Sequence, residues 1–249
     1  MAKRSPIVWL EETDSTQNVF LGHVSEYDNL TVVAAKMQTA GRGQRGNRWF
    51  AEKGENLTFS MLLKFGPGGL PFLRAAEQFR ISVAATLGIA SYLDACGIGS
   101  TVKWPNDIYV RNRKICGMLI ENQLEGNLIA SSIVGIGLNV NQKDFPPQLT
   151  NPVSMSMLTG KDYGLEEELE RLYSHLRRSF ESKLHDASAF REYESGLFRK
   201  GEFHDYVRCS DGTSFEGRIM GVDRSGRLLV ENRKGERLTF AFKEISYII

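Results

Sequence analysis

The spacing of apolar residues changes along the chain, and it predicts both strands and helices. Residues 57–65 alternate apolar with more polar side chains, which is the period of two of a strand with one buried face. Residues 31–38 are β-branched and apolar and predict another strand. From Pro71 to Cys96 apolar residues recur at steps of three and four. This spacing predicts a helix that begins near Pro71 and stops at Gly97.

The second half of the chain predicts a sheet, a helix and a small β unit. Residues 100–110 and 114–124 predict two strands joined by a polar turn, and residues 127–140 predict a third. Residues 164–185 predict an amphipathic helix with acidic residues in its first turn and basic residues near its end. Beyond about residue 200, short segments separated by glycine-containing turns indicate a small β-barrel. The fold class expected is therefore α+β, a mainly antiparallel or mixed sheet with helices packed on it.

Composition excludes several classes of protein. The chain has 249 residues, 41% hydrophobic and 24% charged, which is typical of a folded globular protein and excludes disorder and coiled coil. Lysine and arginine number 31 against 30 acidic residues, so the net charge of +1 gives no global reason to expect a nucleic-acid or membrane partner. The 3 cysteines fit neither a zinc site nor a disulfide framework. No apolar stretch is long enough for a signal peptide or a membrane span, so a cytoplasmic protein is expected.

A glycine-rich segment at residues 38–49 follows a predicted strand. Gly41, Gly43 and Gly46 satisfy the G-x-G-x-x-G spacing of dinucleotide-binding folds, but such folds open a helix inside the motif. Here another strand follows without helical periodicity, so the dinucleotide-binding interpretation fails.

What remains is a flexible loop carrying three arginines, Arg42, Arg45 and Arg48. Glycine lets backbone N–H groups approach a ligand, and guanidinium groups suit phosphate or carboxylate. The loop is predicted to close over an anionic ligand. A solvated basic loop is the alternative, and an RGG-like RNA contact is disfavoured by the neutral chain.

Three further segments carry chemistry-bearing residues. Lys103-Trp-Pro-Asn-Asp107 contains a proline that marks a sheet edge or bulge, and Lys114 opens the next strand close to that bulge. The cluster indicates either a site or a structural Lys–carboxylate pair. In residues 134–141, two mid-strand glycines share one face with Asn139, which suits a planar ligand such as a base or the close approach of another backbone. Residues 14–18 offer hydroxyls for a helix cap or for a small polar ligand.

These four segments, in this order, resemble the catalytic domain of biotin protein ligases over about residues 8–200, and residues 201–249 resemble that family's SH3-like C-terminal domain. The resemblance implies two domains, 1–200 and 201–249, and ATP-dependent ligation of biotin to a lysine through a biotinyl-adenylate. ATP with Mg²⁺ and biotin are the implied cosubstrate, activator and substrate, and the carrier domain of a biotin-dependent carboxylase is the implied acceptor. No room exists before Val8 for the DNA-binding domain of bifunctional members, so no DNA partner is expected. An exposed edge strand could pair two copies or dock the acceptor.

The resemblance also implies residue roles. The catalytic residues would be Lys114, Arg42 and Asp107. The biotin-binding residues would be Ser15, Thr16, Gln17, Gln38, Gly41, Arg42, Gly43, Lys114 and Gly117. The residues binding ATP or the adenylate would be Arg42, Arg45, Lys103, Asn106, Lys114, Asn139 and Trp49. No protein ligand of a metal is assigned.

The sequence departs from the pattern of this family in two of these four segments. The common Ser-Thr-Asn appears as Ser15-Thr-Gln-Asn18, so either Gln17 or Asn18 does the work of the asparagine. The loop commonly reads GRGRRGR, and Gln44 and Asn47 replace two of its arginines. Losing two cations predicts weaker retention of the adenylate.

Two rival functions stay open from the sequence. A lipoate protein ligase shares the fold and the adenylation chemistry. A nucleic-acid-binding module using residues 42–48 and the terminal β unit would bind oligonucleotides in a salt-dependent way without ATP turnover. That module leaves the paired glycines of residues 135–137 unexplained.

Overall fold

The computed structural model describes residues 6–149 and 151–249 and contains two β-sheets and five α-helices. The strands of the first sheet are β1 Ile7–Leu10, β2 Val32–Ala35, β3 Asn56–Lys64, β4 Leu73–Arg74, β5 Thr101–Lys103, β6 Asp107–Val110, β7 Arg113–Glu125 and β8 Leu128–Asn139. The helices are α1 Thr16–Phe20, α2 Phe79–Ala95, α3 Met155–Thr159, α4 Leu165–Lys183 and α5 Ala189–Ser195. The strands of the second sheet are β9 Phe203–Arg208, β10 Ser214–Val222, β11 Leu228–Asn232, β12 Arg237–Phe240 and β13 Ile245–Tyr247.

The first sheet is mixed, with one parallel pair. Its strand order is β1-β2-β3-β8-β7-β6-β5, and β4 pairs with the first residues of β8. Strands β1 and β2 run parallel, while the other pairs are antiparallel. The short connections between β5, β6, β7 and β8 favour antiparallel pairing of these four strands. The prediction of a mixed or mainly antiparallel sheet with helices packed on it is confirmed.

Helices α2 and α4 pack together, α4 also contacting β3, and their buried side chains join those of the sheet in one core. A Cβ on Gly88 would lie 3.0 Å from the backbone of Leu176, so the glycine allows this close helix crossing. The opposite face of β3 is covered by α1, where the Thr16 and Ser60 hydroxyls are 2.8 Å apart. Strand β3 is therefore buried on both faces, and the prediction of one buried face is wrong.

Two predicted boundaries also change. The helix expected from Pro71 begins only at Phe79, because Leu73 and Arg74 pair with β8 instead. Its predicted end is confirmed, since Gly97 follows the helix with φ of +74°. Residues 100–110 form two short strands, β5 and β6, that pair with each other around Trp104–Asn106. Apolar periodicity alone does not distinguish one long strand from a tight hairpin.

The second sheet is antiparallel with the order β12-β11-β10-β9-β13. Within the described residues its edge strands β12 and β13 do not pair, so the predicted barrel is found here as an open five-stranded sheet. Its buried residues belong to the same core as those of the first sheet. Among the residues that the structure describes, no helix is long and apolar enough to cross a membrane.

Candidate active site

A cavity of about 650 Å³ lies over one face of the first sheet. It is enclosed by the N-terminus of α1, the glycine-rich loop of residues 41–49, strands β6 to β8 and the end of the second sheet. The cavity therefore brings together all four segments that the sequence singled out, although they are far apart along the chain.

Four residues form a straight row across the floor of the cavity. Gly137 on β8 pairs with Gly117 on β7, Gly117 with Asp107 on β6, and Asp107 with Lys103 on β5. Directly paired residues share one face of a sheet, and neighbouring strands are about 4.8 Å apart. The floor thus changes along one line from two glycines to a carboxylate and then to an ammonium group.

The end of the cavity beside α1 is polar and uncharged. The backbone N–H of Thr16 donates to Gln38 Oε1 at 2.8 Å. Gln17 lies against Gly135, and its Nε2 donates to the Leu119 carbonyl at 3.2 Å. Ser15 precedes α1 without a side-chain cap bond, and this buried residue lines the cavity. Such neutral donors and acceptors suit an uncharged polar head group.

The side chains of residues 17 and 18 point in different directions. Gln17 is buried and lines the cavity, whereas Asn18 donates to Asp14 at 2.6 Å and accepts from Arg42 at 3.2 Å outside it. Of the two, Gln17 is placed to contact a ligand.

The opposite end of the cavity is cationic. Lys114 Nζ lies 2.6 Å from Asp107 Oδ1, and this pair is only partly exposed. Lys103 lies among aromatic rings, and burial is the main reason that its pKa is below the usual value for lysine. Asn106 donates to the Met118 carbonyl at 2.6 Å, which fixes the turn between β5 and β6 against β7. Two ammonium groups beside one carboxylate leave net positive charge for an anionic ligand.

The glycine-rich loop is held by its own backbone and by one ion pair. The N–H of Gly43 donates to Asn47 at 2.7 Å, and the N–H of Trp49 donates to Gly41 at 3.0 Å. Arg42 forms a two-pronged ion pair with Glu121, at 2.5 and 3.0 Å. A Cβ on Gly41 would lie 2.5 Å from the Trp49 carbonyl, so only glycine fits that position without rearrangement. The loop therefore lies over the cavity with Arg42 directed at Glu121.

The glycine floor carries the indole ring of Trp49. A Cβ on Gly137 would overlap this ring, and one on Gly117 would lie 3.0 Å from it. The mid-strand glycines therefore permit the close approach of a planar group, which here is a side chain of the same protein. Trp49 Nε1 is buried without a hydrogen-bond partner in the described structure. A buried N–H without a partner is costly, so this donor is available to a ligand.

Asn139, which was predicted to bind a base, lies at the end of β8. It is buried, its amide donates to the Val153 carbonyl at 3.1 Å, and it is not among the residues that line the cavity. The side chain holds the segment after β8, and its contact with a base stays a prediction. The side chain of Arg45 lies outside the described part of the chain.

The sequence did not reveal two groups of site residues. The second sheet and its loops supply part of the cavity wall, including Lys243, Ser246 and Tyr247, and nothing in their strand pattern pointed to chemistry. Glu121 could have been found, because it lies two and four residues from Leu119 and Gly117 and so shares their face of β7. Among the described residues, no three His, Cys, Asp or Glu side chains form a metal-binding group.

Comparison with known proteins agrees with this arrangement. The model of the biotin/lipoate A/B protein ligase family matches residues 9–139, more than half of the chain. The chain belongs to this family. The matched part runs from within β1 to the end of β8 and includes the glycine-rich loop and the four-residue row.

Individual ligases match most of the chain. A biotin–[acetyl-CoA-carboxylase] ligase of Paracoccus denitrificans is 30% identical over 92% of this chain and 95% of its own length. The bifunctional ligase/repressor BirA of Bacillus spizizenii is 30% identical over 82% of this chain, which spans only 62% of that protein. Biotin protein ligase from Aquifex aeolicus, solved in complex with biotin and ATP, superposes with a TM-score of 0.75 at 26% identity, covering 96% and 97% of the two chains. The two-sheet architecture is therefore that of biotin protein ligases.

Proposed function

We propose that this chain is a biotin–[biotin carboxyl carrier protein] ligase. In the first step a biotin carboxylate oxygen bonds to the α-phosphorus of ATP, the bond to the β-phosphate oxygen breaks, and pyrophosphate leaves. In the second step a lysine amine of the acceptor attacks the carbonyl of biotinyl-adenylate, AMP leaves, and the amine gives up a proton. The names of the Paracoccus and Aquifex relatives support biotin as the acid and ATP as the nucleotide.

One observation carries the proposal: a single cavity has a neutral polar end beside α1 and a cationic end at β5–β6, joined by a flat glycine floor. This order matches an uncharged ureido ring, an alkyl chain and carboxylate, and a polyphosphate. Ser15, Thr16, Gln17 and Gln38 would hold the ring, with Gly117 allowing close approach to the sheet.

The first step brings two anions together, so it needs fixed positive charge where the carboxylate meets the phosphate. Lys114 would contact both groups, because it projects over the glycine floor at the start of the cationic end. The N–H groups of the loop at Gly41 and Gly43 would face the same region. Arg42 would also bind there, by breaking its ion pair with Glu121 and pairing with the anionic ligand instead. Trp49 and Asn106 would border the nucleotide.

Magnesium fits this donor set as an ion shared with the nucleotide. Mg²⁺ usually binds one or two carboxylates together with substrate phosphates, and Asp107 is a carboxylate of the floor row. Asp107 would hold the ion, which neutralises phosphate charge when bound.

The second step needs a neutral amine, whose pKa in water is about 10.4. Asp107 would receive its proton, since it is the carboxylate of the floor row. Its ion pair with Lys114 keeps the carboxylate directed at the cavity.

The acceptor and the division of the chain belong to the same proposal. A carrier domain of a biotin-dependent carboxylase would present its lysine at the cavity. Residues 1–200 would form the catalytic domain, and residues 201–249 would form an SH3-like domain that closes one side of the site. Strand β1 pairs on one side only within the described residues, so a second copy would add there as a neighbouring strand.

The test is transfer of biotin to a purified carboxylase carrier domain with ATP and Mg²⁺, comparing wild type with Lys114→Ala. Transfer by the wild type and its loss in a folded variant are expected. Lys234→Ala, which removes an exposed lysine outside the cavity, is the matched control and is expected to retain transfer. Lipoate replaces biotin in a parallel reaction. Adenylation of lipoate alone would overturn the choice of substrate, and no turnover with either acid would overturn the ligase proposal.

A further inference from the structure

The ammonium group of Lys103 is held by aromatic rings. Its Nζ lies 5.3 Å from the centroid of Tyr109 and 4.8 Å from that of Tyr247. Both distances are within the range of a cation–π contact. The Lys103 ammonium forms no side-chain hydrogen bond and no ion pair with the other described residues. The rings hold the cation without occupying its three N–H donors, which a carboxylate partner would do.

Tyr247 comes from the second sheet, although Lys103 belongs to the first. It lies on the last strand, β13, which pairs with β9, and its ring packs edge-on against buried Tyr206 at 5.3 Å. The Tyr247 hydroxyl is buried without a hydrogen-bond partner in the described structure. The Tyr247 ring is held in place, and its hydroxyl has no hydrogen-bond partner in the described structure. The part of this side chain that contacts Lys103 is therefore its aromatic face.

We propose that Tyr247 is a positioning residue that holds the Lys103 ammonium for the departing pyrophosphate of ATP. The inference rests on the proposed function and deepens it, because it assigns one cation to one part of the nucleotide. Through Tyr247, the second sheet would contribute to the adenylation step.

The order of groups along the floor supports pyrophosphate as the partner of Lys103. Lys103 is three strands from Gly137, which is roughly 14 Å at the usual strand spacing. The neutral end that suits the biotin ring lies on the other side of Gly137, beside β3 and α1. An extended ligand that places its reacting carboxylate near Lys114 therefore places its terminal phosphates near Lys103.

An ammonium group at this position would stabilise the leaving group of the adenylation step. As the carboxylate oxygen bonds to the α-phosphorus, the electron pair of the breaking bond moves onto the pyrophosphate oxygen. A fixed ammonium there stabilises the charge as it develops. In the second step pyrophosphate has already left, so Lys103 and Tyr247 have no part in transfer to the acceptor.

The experiment compares Tyr247→Leu, which removes the ring, with Tyr247→Phe, which keeps it. The measurements are KM for ATP, KM for biotin, inhibition by inorganic pyrophosphate, and transfer from preformed biotinyl-adenylate without ATP. We expect Tyr247→Leu to raise KM for ATP and weaken pyrophosphate inhibition about three- to tenfold, the size of one cation–π contact. KM for biotin and the transfer step are expected to stay unchanged, and Tyr247→Phe is expected to restore the wild-type values.

Two controls separate this role from a structural one. Met220→Ala removes an exposed side chain of the second sheet away from the cavity and is expected to leave all four measurements unchanged. Lys103→Gln, like Tyr247→Leu, is expected to raise KM for ATP and to weaken inhibition by pyrophosphate. The double variant is expected to change these two quantities little more than Lys103→Gln alone, because the two residues act as a unit. If Tyr247→Leu does not fold, Lys103→Gln still tests whether the ammonium contacts pyrophosphate, and Tyr247→Phe still tests whether the hydroxyl contributes.

Any of three results overturns the inference. The first is that Tyr247→Leu leaves KM for ATP and inhibition by pyrophosphate unchanged, and the second is that Tyr247→Phe changes them as much as Tyr247→Leu does. The third is that Tyr247→Leu slows adenylation and transfer to the acceptor by the same factor. Failure of the proposed function is distinguishable, since it appears as an inactive wild type. Calorimetric binding of inorganic pyrophosphate to the wild type and to Tyr247→Leu then still tests the contact, and equal affinities would overturn it.

Discussion

At the scale of single residues, the charged groups at the cavity and in the loop over it form two ion pairs. Asp107 faces Lys114 at 2.6 Å, and Arg42 faces Glu121 at 2.5 Å. Residue types alone predicted the first pair as a possibility and missed the second partner. The sequence shows which charged side chains are present, whereas the pairing of the strands determines which of them form ion pairs.

The role of Asp107 as proton acceptor gives a prediction for the second step. We expect Asp107→Asn to slow transfer from preformed biotinyl-adenylate by about 100-fold, the lower limit typical of general-base catalysis. Single-turnover transfer to the carrier domain measures this. Asp162→Asn, which removes an exposed carboxylate paired with Lys143, is the control and is expected to transfer normally. An unchanged transfer rate in Asp107→Asn would show that another group accepts the proton.

Gln44 gives a prediction about retention of the intermediate. It lines the cavity, and its Oε1 is buried without a partner among the described residues, so the loop lacks a cation at this position. We expect the wild type to release biotinyl-adenylate measurably and Gln44→Arg to release it about tenfold more slowly, because a guanidinium adds a charged hydrogen bond to phosphate. Release is measured by trapping free adenylate. Gln123→Arg adds the same charge outside the cavity and is expected to have no effect, and equal release from wild type and Gln44→Arg would contradict the prediction.

At the scale of elements, glycines on neighbouring strands create a surface on which one planar group lies. Gly117 and Gly137 are paired on β7 and β8, and the indole of Trp49 covers both. The alternation of residues 134–140 predicted that Gly135 and Gly137 share a face, and this is confirmed. It did not predict that Trp49, which is 88 residues earlier in the chain than Gly137, would lie on this face, because that contact depends on the order of the strands.

The glycine floor gives a prediction at this scale. A methyl group at Gly137 would overlap the Trp49 ring, so Gly137→Ala is expected to displace the loop and lower kcat/KM for ATP about tenfold, or about 1.4 kcal/mol. Steady-state kinetics and tryptophan fluorescence measure the two effects. Gly99→Ala is the matched control, since a methyl group there meets open space and is expected to change neither. Normal ATP kinetics in Gly137→Ala would show that the position of Trp49 does not matter for the nucleotide.

At the scale of the whole molecule, the two sheets share one core. The Trp104 indole N–H donates to the Gly226 carbonyl at 2.8 Å, and Glu194 at the end of α5 accepts from the Val222 N–H at 2.9 Å. Phe79 at the start of α2 lies directly against Gly226. These contacts fix the second sheet beside the cavity, where it supplies Tyr247 and Lys243.

The contact between the sheets predicts a coupled loss of stability. Trp104→Phe leaves the Gly226 carbonyl without its partner, so we expect the free energy of unfolding to fall by about 1–3 kcal/mol. Denaturant unfolding followed by far-ultraviolet circular dichroism and by fluorescence measures this, and the two probes are expected to coincide. Trp9→Phe removes a partly buried indole outside this contact and is expected to cost less. Two separate transitions in the wild type would contradict a shared core.

The sequence by itself determined the fold class, most of the elements and the segments that carry chemistry, because these follow from local periodicity and residue type. It placed the polar face of β8, the amphipathic helix α4 and the end of α2 correctly. The start of α2 was decided by the pairing of Leu73 and Arg74 with β8, and the burial of both faces of β3 by its contact with α1. The hairpin at Trp104–Asn106 was decided by the pairing of β5 with β6. Tertiary structure also decided that Gln17 faces the cavity, that Asn139 does not, and that Tyr247 completes the wall. The physical reason is that side-chain direction and neighbours depend on contacts between segments far apart in the chain, which local spacing does not encode.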